Sequence, residues 1–128
     1  MKLIFVIISL FLIGQTENQE SEIYGQWKLI KIETQNEVLI PEFADYFLQV
    51  TTEKISYNKD VNNCQSMKLT IINHRIDIEG IMCTEICCDG RIDSISNYIH
   101  YSGTYEINEN QLIITTADSK LFLERIMD

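Results

Sequence analysis

The sequence is poor in the residues that mark flexible linkers and basic surfaces. Among its 128 residues there are one proline and five glycines, and 10 Lys and Arg stand against 19 Asp and Glu, for a formal net charge of −9. With no Ser/Gly-rich run and no internal repeat, the chain is expected to form a single domain. Because phosphate binding needs clustered Lys and Arg, the acidic balance argues against nucleic acid and anionic lipid as partners.

Long apolar runs are also scarce. The one such run, Leu3–Ile13, follows the positively charged Lys2 and is followed by the small residues Gly14 and Thr16. It is shorter than the roughly 20 apolar residues of a membrane-spanning helix, and this pattern is typical of a cleaved signal peptide. We therefore expect residues 1–16 to be removed and the mature protein to be secreted or periplasmic, with no membrane attachment.

Signatures of reaction chemistry are missing as well. His74 and His100 have no serine-and-acid context that would indicate a catalytic triad. Several acids lack the regular spacing and turn glycine of a calcium loop; they are Asp77, Glu79, Glu85, Asp89 and Asp93. We expect no enzymatic activity, no cofactor and no metal, and the acids are interpreted as a solvated face.

The sequence does contain the residue pattern that is typical of β-strands. Short segments rich in Val, Ile, Thr, Tyr and Phe alternate with polar turns. The predicted strands are Ile23–Glu33, Tyr46–Thr52, Lys54–Lys59, Met67–Ile72, Arg75–Glu79, Thr104–Ile107, Gln111–Thr115 and Lys120–Arg125, and the short run Val38–Ile40 is ended by Pro41. Adjacent Leu29 and Ile30 indicate a bulge. Apolar spacing predicts a helix within Asp89–Tyr101, and Pro41–Asp45 is a candidate helical turn. The fold class is therefore mostly β, a small antiparallel barrel or sandwich of seven or eight short strands with one short helix.

Four cysteines stand close together, at Cys64, Cys83, Cys87 and Cys88. In an exported protein they predict disulfides rather than a zinc site, because the paired two-residue spacings of zinc ligands are absent. Neighbours Cys87 and Cys88 are too close for an unstrained bridge. Spacing therefore leaves Cys64 bonded to Cys87 or to Cys88, with Cys83 taking the other.

Several motifs carry a resemblance to known families. Gly25-x-Trp27 resembles the opening of lipocalin-type barrels. Residues 23–126 resemble the META domain family of HslJ-like proteins through the following elements: Asn63-Cys64, Thr84-Glu-Ile-Cys-Cys88, Tyr105-Glu-Ile107, Leu112-Ile-Ile114 and Leu121-Phe-Leu-Glu-Arg125. On this register the resemblance implies a Cys64–Cys88 bridge and a second bridge between Cys83 and Cys87.

The resemblance implies an exported β domain that acts by binding or as a structural module and transfers no catalytic residue. Gly25, Trp27 and Arg125 are expected to be structural, with Arg125 lying across Trp27 to close one barrel end. Two alternatives are a lipocalin-like carrier of a small hydrophobic ligand and an inhibitor or interaction module that uses the loop from Cys83 to Asp89, with Thr84, Glu85 and Ile86 as contacts. The partner, a protein or a small molecule, is unknown, and a monomer is expected.

Overall fold

The computed structural model describes residues 22–59, 61–85 and 93–127. These residues form nine strands and one short 3-10 helix. The strands are β1 (Gly25–Thr34), β2 (Val38–Leu39), β3 (Phe47–Val50), β4 (Ile55–Lys59), β5 (Asn62–Ile72), β6 (Arg75–Cys83), β7 (Gly103–Asn108), β8 (Gln111–Thr115) and β9 (Ser119–Arg125), with the helix at Ser94–Tyr98 between β6 and β7. None of the helical structure in these ranges is long and apolar enough to cross a membrane.

The strands form one antiparallel sheet that closes on itself. Its order is β2-β1-β3-β4-β5-β6-β7-β8-β9, and β1 also pairs with β9, so eight strands make a barrel to which β2 is added. This confirms the predicted fold class. The pairing of β1 with β9 shifts register between Leu29 and Lys31, which confirms the bulge.

The barrel interior is filled by apolar side chains. Every second residue of most strands points inward, as expected for strands with one buried face. Side chains from all around the barrel are at most 1 % exposed; they include Trp27, Leu29, Leu48, Ile55, Ile76, Leu112, Ile114 and Leu121. Ile95 and Tyr101, in and after the 3-10 helix, are buried with them.

Two predicted local features differ from the structure. In the described part of Asp89–Tyr101 the chain forms only a 3-10 helix, Ser94–Tyr98, because β-branched residues and an aspartate cap favour a single tight turn. Pro41–Asp45 contains bends and no helical turn. Instead, the buried carboxylate of Asp93 accepts hydrogen bonds from the backbone N–H of Glu42 and from the Tyr46 hydroxyl, which fixes this loop.

One barrel end is closed by Trp27 and Arg125. The Arg125 guanidinium lies 4.2 Å from the centre of the Trp27 ring and donates to the carbonyls of Tyr24 and Glu22. The indole N–H of Trp27 donates to the Ile23 carbonyl at 2.8 Å. Gly25 has φ +134° and its Cα faces Arg125, so a side chain there would be strained and crowded. These contacts hold the segment before β1 across the end of the barrel.

Three tyrosines lie together inside the barrel. Tyr57 and Tyr101 make an edge-to-face contact with ring centres 5.0 Å apart, and Tyr46 is fully buried. The Tyr101 hydroxyl is buried without a hydrogen-bond partner in the described part of the chain. Burial, and then the nearby hydroxyls of Tyr57 and Tyr46, raise the pKa of Tyr101 far above its ordinary value. Burial also raises the pKa of Tyr57.

We expect Arg125→Met to lower the free energy of unfolding by about 2 kcal/mol, because its cation-π contact with Trp27 and its hydrogen bonds to backbone carbonyls are lost. Urea unfolding followed by the fluorescence of the single Trp27 measures this. The control is Arg75→Met, which removes an exposed ion pair with Asp77 and is expected to cost about 0.5 kcal/mol or less. Equal losses of unfolding free energy in the two variants would contradict this role of Arg125.

The buried hydroxyl of Tyr101 leads to a second prediction, which concerns the stability of the protein at alkaline pH. Above about pH 10 an unfolded tyrosine loses its proton while folded Tyr101 keeps it, so stability falls by about 1.4 kcal/mol per pH unit for this group. Tyr101→Phe removes that slope and, because no hydrogen bond is lost, retains or raises stability at neutral pH. Tyr46→Phe, which loses the bond to Asp93, is expected to destabilise by about 1 kcal/mol. Denaturation at pH 7 and pH 11 checks both, and an unchanged alkaline slope in Tyr101→Phe would refute the assignment.

Candidate functional site

A groove crosses the outer surface of the barrel over β1, β3, β4 and β5. It has a volume of about 710 Å3 and is open to solvent along its length. A second cavity of about 360 Å3 shares Ser56, Asn63 and Cys64 with it and reaches Met82 and Thr84 near the end of β6. The two cavities adjoin at these shared residues, and together they are called the outer groove.

Two rows of side chains run along the outer groove. Strand register places Gln26 opposite Gln49, Gln49 opposite Ser56, and Ser56 opposite Gln65. A second row is displaced from the first by two residues on each strand. It consists of Phe47 on β3, Asn58 on β4 and Asn63 on β5. All of these alternate with buried positions, so their side chains point away from the core.

Internal hydrogen bonds fix part of this surface. The Asn58 amide accepts from the Phe47 N–H and donates to the Asp45 carbonyl, both at 2.8 Å, and so continues the pairing of β3 with β4. Lys54 Nζ donates to the Gln65 side-chain oxygen at 3.0 Å. These bonds limit the motion of the groove floor.

Other amides are left for a ligand. Among the described residues, the side-chain amides of Gln26, Gln49 and Asn63 make no hydrogen bond to the protein. An amide carries two donor hydrogens and an acceptor oxygen. The outer groove therefore presents unused donors and acceptors at three points, on β1, β3 and β5.

The outer groove carries little charge. Of the described side chains that line it, Asp45 is the one carboxylate, and it lies 3.7 Å from the Lys28 ammonium. Within the described ranges, no group of three or more His, Cys, Asp and Glu could hold a metal ion. The lining offers hydrogen bonds and apolar contacts to a ligand, without an assembled nucleophile and base.

The disulfide at the edge of the groove differs from the predicted pairing. Cys64 on β5 is bonded to Cys83 on β6, its direct partner in the antiparallel register, with Cα atoms 4.1 Å apart. The predicted bonding of Cys64 to Cys87 or Cys88 is therefore wrong, and so is the bridge from Cys83 to Cys87. Both errors arise because β5 and β6 are longer than the predicted Met67–Ile72 and Arg75–Glu79. Cys87 and Cys88 lie outside the described residues.

The bridge reinforces the hairpin that forms one side of the outer groove. Its cysteines are 19 residues apart in sequence. Closing a loop of that size contributes about 3 kcal/mol in the chain-entropy model. The spacing of β5 and β6 is thereby fixed where the groove passes over them.

The predicted interaction loop lies only partly within the described residues. Thr84 lines the end of the outer groove, and its hydroxyl accepts from the Asn63 N–H at 3.0 Å. Glu85 is exposed, and Ile86 lies outside the described part. Both histidines lie away from the groove. His74, in the β5–β6 turn, packs against the ring of Tyr105 on β7, and the His100 imidazole lies 3.4 Å from the Asp118 carboxylate.

Sequence reasoning missed the outer groove itself. Its amides come from β1, β3, β4 and β5, and they become neighbours only through strand register. The available signal was the run of uncharged Gln, Asn and Ser at outward positions of a chain with a net charge of −9.

Comparisons with known proteins identify the fold alone. No family model matches the sequence, and no curated protein matches it. A solved structure, the NMR structure of a protein from Burkholderia xenovorans, is similar with a TM-score of 0.67 at 12 % identity, over 85 % of this chain and 87 % of that one. That likeness supports the barrel architecture.

The strand register makes a direct prediction about the bridge. Digestion of the unreduced protein with trypsin and a glutamate-specific protease separates Cys83, in residues 80–85, from Cys87 and Cys88, in residues 86–91. Mass spectrometry is expected to find residues 60–68, which contain Cys64, linked to residues 80–85. A link from residues 60–68 to residues 86–91 would contradict the observed pairing, and a sample reduced before digestion is the control.

Proposed function

We propose that this protein is an exported, disulfide-stabilised, META-like barrel that acts as a binding module through its outer groove. Its partner is a protein or a small molecule that contacts the outside of β1 and β3–β6. The observation that carries this proposal is that the barrel interior is occupied by its own side chains while an open groove lies on the outside.

The filled interior argues against the carrier alternative. A carrier needs an apolar pocket of at least about 300 Å3 that encloses its ligand. Here Leu112, Ile114, Leu121 and Leu123 have no exposed surface and belong to one buried cluster with Trp27. The groove of about 710 Å3 is open to solvent on the outside of the barrel, and both polar and apolar side chains line it.

Export is supported by two independent features. Disulfides form and persist in oxidising compartments, and Cys64 and Cys83 are bonded. The first 16 residues have the composition of a signal peptide. The META-like part of the proposal rests on the sequence motifs, with Trp27 and Arg125 in contact at one barrel end.

Binding is favoured over catalysis by the chemistry of the groove. Its one described carboxylate, Asp45, is exposed and lies beside Lys28, whereas general acid-base chemistry needs a group held within hydrogen-bond reach of the reacting atoms. Rigid strands and a crosslinked hairpin hold the surface in place, which lowers the entropy lost when a partner binds. No catalytic residue is assigned.

Fragment titration of the isotope-labelled exported protein, followed by NMR, tests where ligands bind. We expect the shifts to concentrate on the side-chain amides of Gln26, Gln49 and Asn63, and Ser56→Arg, which fills the groove, to abolish them. The control is Thr70→Arg, the same change of charge at an exposed position of β5 outside the groove. Shifts concentrated on the interior methyls of Leu112 and Ile114 would instead establish a carrier.

Two further outcomes of that titration also decide the question. Shifts confined to the loop around Glu85 would move the contact surface to the predicted interaction loop. Fragments that still bind the groove of Ser56→Arg, or that lose binding equally in Thr70→Arg, would overturn the proposed surface.

A further inference from the structure

We propose, resting on the binding function above, that the outer groove takes a neutral oligosaccharide laid across the strands, with the row Gln26, Gln49, Ser56 and Gln65 beneath it. The ligand class follows from the hydrogen-bonding groups, the spacing, the apolar neighbours and the charge of this surface.

The hydrogen-bonding groups match those of a sugar. Each sugar hydroxyl both donates and accepts, and so do the side chains of Gln26, Gln49, Ser56 and Asn63. A carboxylate or an ammonium group would satisfy only one of these two roles. Because the amides of Gln26, Gln49 and Asn63 have no protein partner among the described residues, a ligand hydroxyl would displace only water.

The spacing of the row fits an extended sugar chain. Neighbouring strands lie about 4.8 Å apart, so four side chains on four successive strands span about 14 Å. One step between strands is close to the advance of one ring in an extended β-linked chain of hexoses. Successive rings would therefore each meet one side chain of the row.

Apolar side chains stand beside the amides. Phe47 is 44 % exposed, Val61 42 % and Met82 54 %. Phe47 and Val61 line the larger cavity, and Met82 lines the smaller one. A pyranose ring has an apolar C–H face as well as its hydroxyls, and an exposed aromatic ring is a suitable surface for that face.

Charge restricts the sugar class. The chain has a net charge of −9, whereas the groove is nearly neutral, with Asp45 close to Lys28 and Lys54 bonded to Gln65. A polyanionic sugar would be repelled by the molecule as a whole without a basic cluster to hold it.

Calorimetric titration of the exported protein tests this with cellohexaose, laminarihexaose and maltohexaose as neutral probes, cellobiose as a short probe, and hexagalacturonate as an acidic one. We expect saturable binding of a neutral hexasaccharide, tighter than that of cellobiose, weak or absent binding of hexagalacturonate, and affinity that salt does not change. Gln49→Leu is expected to weaken binding about tenfold, the effect of losing one or two hydrogen bonds.

The matched control is Gln111→Leu, which makes the same change at an exposed strand position on β8, outside the outer groove. Both variants should retain the wild-type melting temperature, and only Gln49→Leu should lose affinity. Preferred binding of hexagalacturonate, or equal effects of the two variants, would overturn the proposal. If none of the neutral hexasaccharides binds while fragments still bind the groove in the NMR titration, the proposal of a sugar ligand is wrong. The proposed binding function of the outer groove is then retained.

Discussion

Pairing between the first and the last strand, β1 and β9, closes the sheet and creates an interior that the side chains must fill. The two strands run together from Trp27 opposite Arg125 to Thr34 opposite Ser119. A bulge between Leu29 and Lys31 is needed for this, because it returns Ile32 to the inside after one residue is left out of the pairing. The same closure brings Arg125 over Trp27, so the barrel and its end cover depend on one set of contacts.

A closed and filled barrel has its outer surface available for recognition. The alternation that places Leu48, Tyr57 and Cys64 inside also places the amides of β1, β3, β4 and β5 outside in register. The core and the outer groove are thus two faces of the same strands, and packing on one side fixes positions on the other. Sites built on strands are held more firmly than sites on loops, which suits the proposed recognition of a ligand through a few hydrogen bonds.

Strands with clear alternation could be predicted from sequence. Thr104–Ile107, Gln111–Thr115 and Lys120–Arg125 lie within or match β7, β8 and β9. The start of β5 was missed because Asn62, Asn63 and Gln65 are poor strand formers that only cross-strand pairing holds extended. The disulfide error followed directly, since Cys83 then stood in a predicted loop. The outer groove depends on residues distant in sequence, and local patterns carry no information about which strands lie side by side.

The position of the disulfide within a single hairpin bears on the order of assembly. Strands β5 and β6 are joined by a two-residue turn at Asn73 and His74, both with positive φ, and this backbone matches the twist of a tight hairpin. Hairpins form in about 1–10 µs, whereas β1 and β9 must meet across almost the whole chain, and such distant pairing is slow. The hairpin can therefore form before the barrel closes, which places the Cys64 and Cys83 thiols side by side for oxidation and offers a template on which β4 and β7 align.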